Sequence, residues 1–474
     1  MTARKPETDA QQSARRTFIK RTLLAATVLS LPPLLAACGG GSDGDEATTP
    51  GGGSSSSSSS ASSSAKSTAK FAVLSDIHLY DIDALGSNAD LAAYLTLDRK
   101  MIKESVPIFA AAMDDIATQD VDFLLITGDL TKDDERVNHE LLAAYLKDFG
   151  KPVYVIPGNH DVNNPDAKGF GSTTTAVAQV SPAEFRSLYA DCGYGTAIHT
   201  DPDSLSYIVE PTEGLWLFAI DSCKYADNLS LGHPVTSGAI GSATLAWLTG
   251  KLAEARAQGK QVMGMMHHGL IEHFAGQSLL FPEYLVDDRA AVAAALAAAG
   301  LGVMFTGHFH ANDLVRATYD GKTIHDVETG STVTAPCPYR LCSLDTVAGT
   351  LSIATSVVDD ITVTNSASDY VNGADFQAYA QEYLSTGLKT LVSGMLQAAP
   401  YSLPSAAVAQ VLPLIVPAMV AHYAGDEALT DATTLATLQA MAGSTDANTA
   451  LIGQMVLSLW NDAAPADNTL SLTL

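Results

Sequence analysis

The chain has 474 residues and a formal charge of −26, from 52 acidic and 26 basic side chains. So large an acidic excess excludes a surface that gathers nucleic acid by charge, and it gives no general pull on anionic small molecules. Hydrophobic residues make up 47% of the chain, enough for one large domain with an appendage.

Residues 1–37 read as an export signal. Ala14-Arg15-Arg16-Thr17-Phe18-Ile19-Lys20 resembles a twin-arginine motif, and an apolar stretch runs from Leu23 to Leu35. Leu35-Ala36-Ala37-Cys38 resembles a bacterial lipobox, with cleavage before Cys38 and lipidation of its sulfur. The stretch is shorter than the ~20 residues a membrane span needs, and Pro32 and Pro33 interrupt it. Acyl chains on Cys38 would hold the mature chain on a membrane surface, and Gly39 in place of an aspartate favours the outer membrane. Residues 38–69 are dominated by Gly, Ser and Thr, with an unbroken serine run from Ser54 to Ser60, and read as a flexible tether.

Residues 70–365 alternate strand and helix signals, which predicts an α/β class. The runs FAVLSDIH, DFLLITGD, PVYVIPGNHD, VMGMMHH and LGVMFTGHFH read as strands. Helices are expected over Leu97–Gln119, with Pro107 kinking or breaking it, and over Asp134–Phe149, Ser242–Gln258 and Ala290–Ala299. Ser181-Pro182-Ala183-Glu184 has the chemistry of a helix start. Tyr80–Ala93, Val162–Val180, Asp221–Gly241 and Leu270–Val286 read as loops, the last holding His273 as part of a lid. Residues 366–474 read as a mostly helical C-terminal domain. Its helices fall over Asp375–Gln397, Ser405–Tyr423, Asp431–Met441 and Asn448–Trp460, and Pro413 and Pro417 kink or split the second. Past the lipobox, the cysteines are Cys192, Cys223, Cys337 and Cys342. An oxidising compartment permits disulfides, and Cys337 and Cys342 are near enough in sequence to join.

Each strand-like run ends in metal-ligating chemistry. Asp76 and His78 flank one residue, so their side chains point the same way. Asp129 brings two oxygens able to bridge two ions, and Asn159 brings a neutral carbonyl oxygen. His267, His308 and His310 bring nitrogens. Mixed carboxylate and imidazole ligands suit divalent transition metals such as Mn, Fe or Zn. His267 is preferred over His268 because it directly follows the apolar run.

The four motifs, Asp76-Ile77-His78, Gly128-Asp129, Gly158-Asn159-His160-Asp161 and Gly307-His308-Phe309-His310, stand in an order that resembles the calcineurin-like metallophosphoesterase superfamily. The resemblance implies a four-layer α/β/β/α sandwich. It implies one ion held by Asp76, His78, Asp129 and His310, and a second by Asp129, Asn159, His267 and His308. A hydroxide between them would attack phosphorus in line with the leaving oxygen. It also implies that His160 contacts a phosphate oxygen or protonates the leaving group. Some relatives carry an aspartate three residues after the bridging one to steady that histidine. Lys132 stands there in this chain, and Asp133 is the expected substitute.

The expected function is therefore a membrane-tethered, two-metal phosphoester hydrolase. Its substrate would be a small-molecule or lipid-derived phosphoester, with diesters favoured. A phosphomonoesterase of the same fold and a catalytically inactive surface binding module are the alternatives. The Pro338-Tyr339-Arg340 turn adds Arg340, read as a surface or structural residue ahead of a phosphate-binding one.

Overall fold

The computed structural model describes residues 67–474, apart from 400, 426 and 462–464. The twin-arginine motif, the lipobox at Cys38 and nearly all of the serine-rich tether lie outside the described residues. The chain enters through β1 (Thr68–Leu74), β2 (Phe123–Ile126) and β3 (Val153–Val155), then a hairpin of β4 (Lys168–Phe170) and β5 (Thr174–Ala176). There follow β6 (His199–Thr200), β7 (Tyr207–Thr212), β8 (Leu215–Ile220), β9 (Gln261–Met266), β10 (Val303–Thr306), β11 (Leu314–Tyr319) and β12 (Lys322–Glu328). The last strands are β13 (Pro338–Asp345), β14 (Thr350–Val357) and β15 (Thr469–Thr473).

Two sheets result. One has six strands in the order β15-β14-β13-β1-β2-β3, the other seven in the order β11-β12-β10-β9-β8-β7-β6. In the first, β1, β2 and β3 run parallel, so their carboxyl ends share one edge. In the second, β8, β9 and β10 do the same. The sheets face each other, and Phe71 of β1 meets Phe305 of β10 at 5.5 Å between ring centroids.

Strand β8 shows why the sequence packs this way. Its run LWLFAI is apolar on both faces. Leu215, Leu217 and Ala219 point between the sheets, while Trp216, Phe218 and Ile220 meet Leu248, Leu252 and Leu296 on the other side. Those leucines belong to the helices Ser242–Ala257 and Arg289–Ala299. The helices Ser105–Thr118 and Arg136–Asp148 add Ile108, Phe109, Leu142 and Leu146 to the core of the first sheet. The layers are thus helix, sheet, sheet, helix, as expected.

Several local readings change. The helix containing Pro107 begins only at Ser105, so the proline lies in the first turn, where no intrahelical N–H is needed, and it causes no break. Ser405–Ala424 is one continuous helix with Pro413 and Pro417 inside it. At a spacing of four, the donor that Pro417 lacks is the one Pro413's carbonyl would have used. All four described cysteines are free. Cys342 lies within β13, which starts beside Cys337, and the extended backbone between them spans roughly 13 Å, about twice the reach of a disulfide.

The helical region is built on capped helices. Asp375, Asp431 and Asp446 each accept the amide three residues on, a cap worth about 1 kcal/mol. Its Phe376, Leu384, Leu388, Ile415, Met419 and Tyr423 belong to the same core as the first sheet. The chain then ends as β15, paired antiparallel with β14, a strand absent from the sequence reading.

Candidate metal centre

Every expected ligand lies just past the carboxyl end of its strand: Asp76 and His78 after β1, Asp129 after β2, Asn159 after β3, His267 after β9, and His308 and His310 after β10. The two sheets meet here. The amide of Gly307 donates to the His267 carbonyl at 3.0 Å, and the amide of His308 donates to Asp76 Oδ2 at 2.9 Å. Two glycines permit this approach. A Cβ on Gly158 would fall on the Asp129 carboxylate, and one on Gly307 would fall on Ser75 Oγ. Asp76, His78, Asp129, His308 and His310 all have φ between 43° and 76°, the left-handed region that side chains other than glycine's rarely adopt. Such backbone costs on the order of 1 kcal/mol or more per residue and concentrates where function requires it.

The side chains form two clusters that share Asp129. One comprises Asp76, His78, Asp129 and His310; the other Asp129, His267 and His308. Within each, the ligand atoms lie within 4.8 Å of one another. Asp129 Oδ2 faces the first at 3.5 Å from His78 Nε2, and Oδ1 faces the second at 3.4 Å from His267 Nε2. His78 Nε2 is 3.2 Å from His310 Nε2, which is 3.3 Å from Asp76 Oδ1.

The tautomers of the second cluster are fixed by its surroundings. His267 Nδ1 donates to the Thr127 carbonyl at 2.9 Å, and His308 Nε2 donates to the Glu283 carbonyl at 3.1 Å. In the neutral rings the opposite nitrogens are therefore lone pairs, and they face each other at 3.1 Å. Two lone pairs beside one carboxylate call for a cation between them. Buried Asp76 Oδ1 and Asn159 Oδ1 likewise have no hydrogen-bond partner. The donor set fits a pair of divalent ions on these grounds.

The electrostatics agree. Burial opposes ionisation of Asp129, but His267, His160 and His78 outweigh it and hold its carboxyl well below the usual range. Burial likewise opposes charging His267, and the Asp129 carboxylate and Asp76 lift its pKa to about 9. A proton there does part of what a metal would do.

His160 stands at the rim with its side chain 19% exposed. Its Nδ1 is 2.8 Å from Asp133 Oδ1, which answers the departure at Lys132: the next residue supplies the carboxylate. Burial disfavours ionised Asp133, but Lys132 and His160 more than offset it and hold its pKa down. Lys132 Nζ contacts Asp133 Oδ2 and lies 4.7 Å from the centre of the Tyr94 ring and 5.3 Å from that of Phe170. Tyr80 packs in the same group, with its hydroxyl on the Gly86 carbonyl.

Other candidates fall outside the centre. His268 is engaged at both ring nitrogens, by Ser222 Oγ at 2.7 Å and the Thr236 carbonyl at 2.9 Å. Arg340 is buried and donates to the backbone carbonyls of Asp467, Glu328 and Asp313, a structural role. His273 is no lid residue. It is buried against Asp313, with Asp326 and Glu328 each 3.5 Å from its Nε2. Asp161, left without a role by the sequence reading, ties two ligand loops together. Its Oδ2 accepts the amides of Gly158 and Leu130, and its Oδ1 accepts the amide and hydroxyl of Thr131. The only signal for it was its place in the third motif.

A probable cyclic nucleotide phosphodiesterase of Fibrobacter succinogenes is 31% identical over 96 residues, which are 20% of this chain and 32% of that protein. The chain thus matches about a third of that relative's length. Among solved structures, a dimetal phosphatase from Danio rerio is similar at 15% identity, covering 61% of this chain and 96% of that one, with a TM-score of 0.44. A purple acid phosphatase from yellow lupin (Lupinus luteus) seeds is similar at 11% identity, over 63% and 53% of the two chains, with a TM-score of 0.39. The sequence model of the calcineurin-like phosphoesterase family matches residues 69–312, a span that contains each of the seven clustered or orphaned ligand candidates. The chain belongs to the calcineurin-like phosphoesterase family.

Proposed function

We propose that the chain hydrolyses phosphodiesters with two divalent metal ions, and that it does so tethered to a bacterial membrane through lipidated Cys38. The observation that carries the reaction is Asp129, whose two oxygens face two separate histidine clusters. Asp76, His78, Asp129 and His310 would hold one ion, and Asp129, Asn159, His267 and His308 the other. When bound, such ions lower the pKa of water and neutralise charge on phosphoryl oxygens.

The chain's own residues do the rest. Asp133 accepts the Nδ1 proton of His160 and so leaves Nε2 as the free end of the ring, 3.9 Å from Asp129 Oδ2. His160 is thereby placed to give a proton to the departing alkoxide or to hold a phosphoryl oxygen. A group so positioned contributes roughly 10²–10⁴-fold. The diester is supported by the pairing of the GNHD and GHFH motifs and by the 96-residue likeness to the phosphodiesterase. The tether is supported by Arg15-Arg16 and Leu35-Ala36-Ala37-Cys38.

The test is turnover of a chromogenic phosphodiester and its monoester counterpart by the full chain. Each is measured after metal stripping and after restoring Mn, Fe or Zn singly, with Asp129→Asn as control. Metal-restored diester turnover that the variant abolishes is expected. Turnover of the monoester alone would reject the diester assignment, and turnover that survives Asp129→Asn would reject the metal-bridging role. Release of labelled acyl chains from Cys38→Ser, as well as from the native chain, would reject the anchor.

A further inference from the structure

A second buried set of ligating side chains lies where the helical region meets the edge of the second sheet. Asp313 immediately precedes β11, His422 occupies the last turn of the helix Ser405–Ala424, and Glu427 follows that helix. One ligand atom from each lies within 4.8 Å of the others. The side chains of His422 and Glu427 are 2% and 1% exposed. His422 Nδ1 is 2.7 Å from Glu427 Oε1, while Glu427 Oε2 and His422 Nε2 have no hydrogen-bond partner among the described residues.

A carboxylate sealed from water normally collects several donors, because its desolvation is costly. Nearby Asp326 shows the ordinary arrangement. Its oxygens accept the amides of Leu270 and Ile271 and the hydroxyl of Thr306. Among the described residues, Glu427 has a single hydrogen-bond contact, to His422, and its second oxygen has none. The surrounding charge increases the need for a cation. Asp313, Asp326 and Glu328 are all buried around His273, and the guanidinium of Arg340 is directed at backbone carbonyls and a threonine hydroxyl. His273 in turn grips one oxygen of Asp313, the kind of outer contact that orients a ligating carboxylate.

We propose that Asp313, His422 and Glu427 bind a further divalent transition-metal ion, one that fastens the C-terminal helices to the phosphoesterase sheets. Two carboxylates balance its charge, and the imidazole favours Zn, Mn or Fe over Ca or Mg. The site shares no residue with the Asp129 pair. Its ligands come from segments more than 100 positions apart, so occupancy would couple the helical region to the phosphoesterase core rather than act on substrate.

The test is metal content of the full chain, loaded with Zn or Mn separately, desalted, and counted per folded protein by mass spectrometry. Wild type should carry one equivalent more than Glu427→Gln, which keeps the shape and the contact to His422 but removes the charge. Diester turnover should be unchanged in that variant, and the rise in Tm on adding Zn should shrink. The difference of one equivalent is read whether or not the Asp129 cluster fills, so failure of the dinuclear reading is distinguishable. Equal metal content in two folded proteins would overturn the proposal. If Glu427→Gln does not fold, anomalous scattering at the zinc edge from wild-type crystals decides. A peak among the three side chains is expected, and its absence overturns the site.

Discussion

Replacing Asp161 by Asn tests how the ligand loops are held. The Asp161 carboxylate accepts Gly158 N at 2.8 Å and Leu130 N at 2.9 Å on one oxygen, and Thr131 N at 2.9 Å and Thr131 Oγ1 at 3.0 Å on the other. An asparagine keeps one oxygen and turns the other position into a donor. Its best orientation puts the NH2 toward Thr131, whose hydroxyl can rotate to accept, and leaves the buried Thr131 amide unpaired. An orphaned amide costs about 1–3 kcal/mol, and each of the two remaining bonds loses about 1 kcal/mol with its charged acceptor. Burial and the neighbouring Asp129 push the Asp161 pKa up to about 7, so the expected loss of about 3–5 kcal/mol is read from urea midpoints above that pH, where the side chain is a carboxylate, at fixed metal concentration. The same bonds position Asp129 and Asn159 from opposite sides, and a shift of ~1 Å there should lower kcat roughly 10²-fold at saturating metal. An Asp161→Asn protein that unfolds within about 1 kcal/mol of wild type and turns over normally would refute the argument.

Asp133→Asn should keep full metal content but lower kcat by roughly 10–100-fold, because His160 loses its anionic anchor; unchanged turnover would remove Asp133 from the mechanism. Gly158→Ala should abolish metal binding or folding, since its Cβ would fall on the Asp129 carboxylate, whereas Gly171→Ala, with nothing within 4 Å, should behave as wild type; calorimetric metal titration separates them. Acid should destabilise the fold through His139, which is buried between Tyr189 and Asp134 and whose pKa burial lowers to about 3. Its folded pKa lies below the unfolded value, so its contribution is complete above pH ~6.5 and falls as pH drops toward 3, by about 2 kcal/mol between pH 7 and 5. A stability difference between wild type and His139→Gln that does not change between pH 7 and 5 would contradict this, because the comparison removes the other titrating groups.

The arrangement of the candidate centre was largely legible because each expected ligand lies within four residues of its strand's carboxyl end. Apolar runs announced β1, β2, β3, β9 and β10, and parallel pairing then brought their ends together. Asp133 was also foreseeable, as the next carboxylate after the anomalous Lys132. What could not be read depends on partners distant in sequence or on backbone angles. The left-handed φ at His308 and His310 leaves no trace in composition. The role of Asp161 depends on amides some 30 residues away. Cys337 and Cys342 looked close in sequence, but an extended strand carries them apart. Pro107 and Pro417 illustrate the same limit: one falls harmlessly in a first turn, and the other lies in a helix whose buried face holds it together.

The placement of β15 has a consequence for how the protein must be made. Five residues that follow the helical region, Thr469–Thr473, cover the outer rim of a sheet whose central strand, β1, is the first element described. The first sheet therefore stays incomplete until the whole helical region between β14 and β15 has been made. Any product that stops short of Thr469 leaves β14 with a bare hydrogen-bonding edge, a template for joining another molecule. Shortened products should accumulate as aggregates rather than as smaller working enzymes.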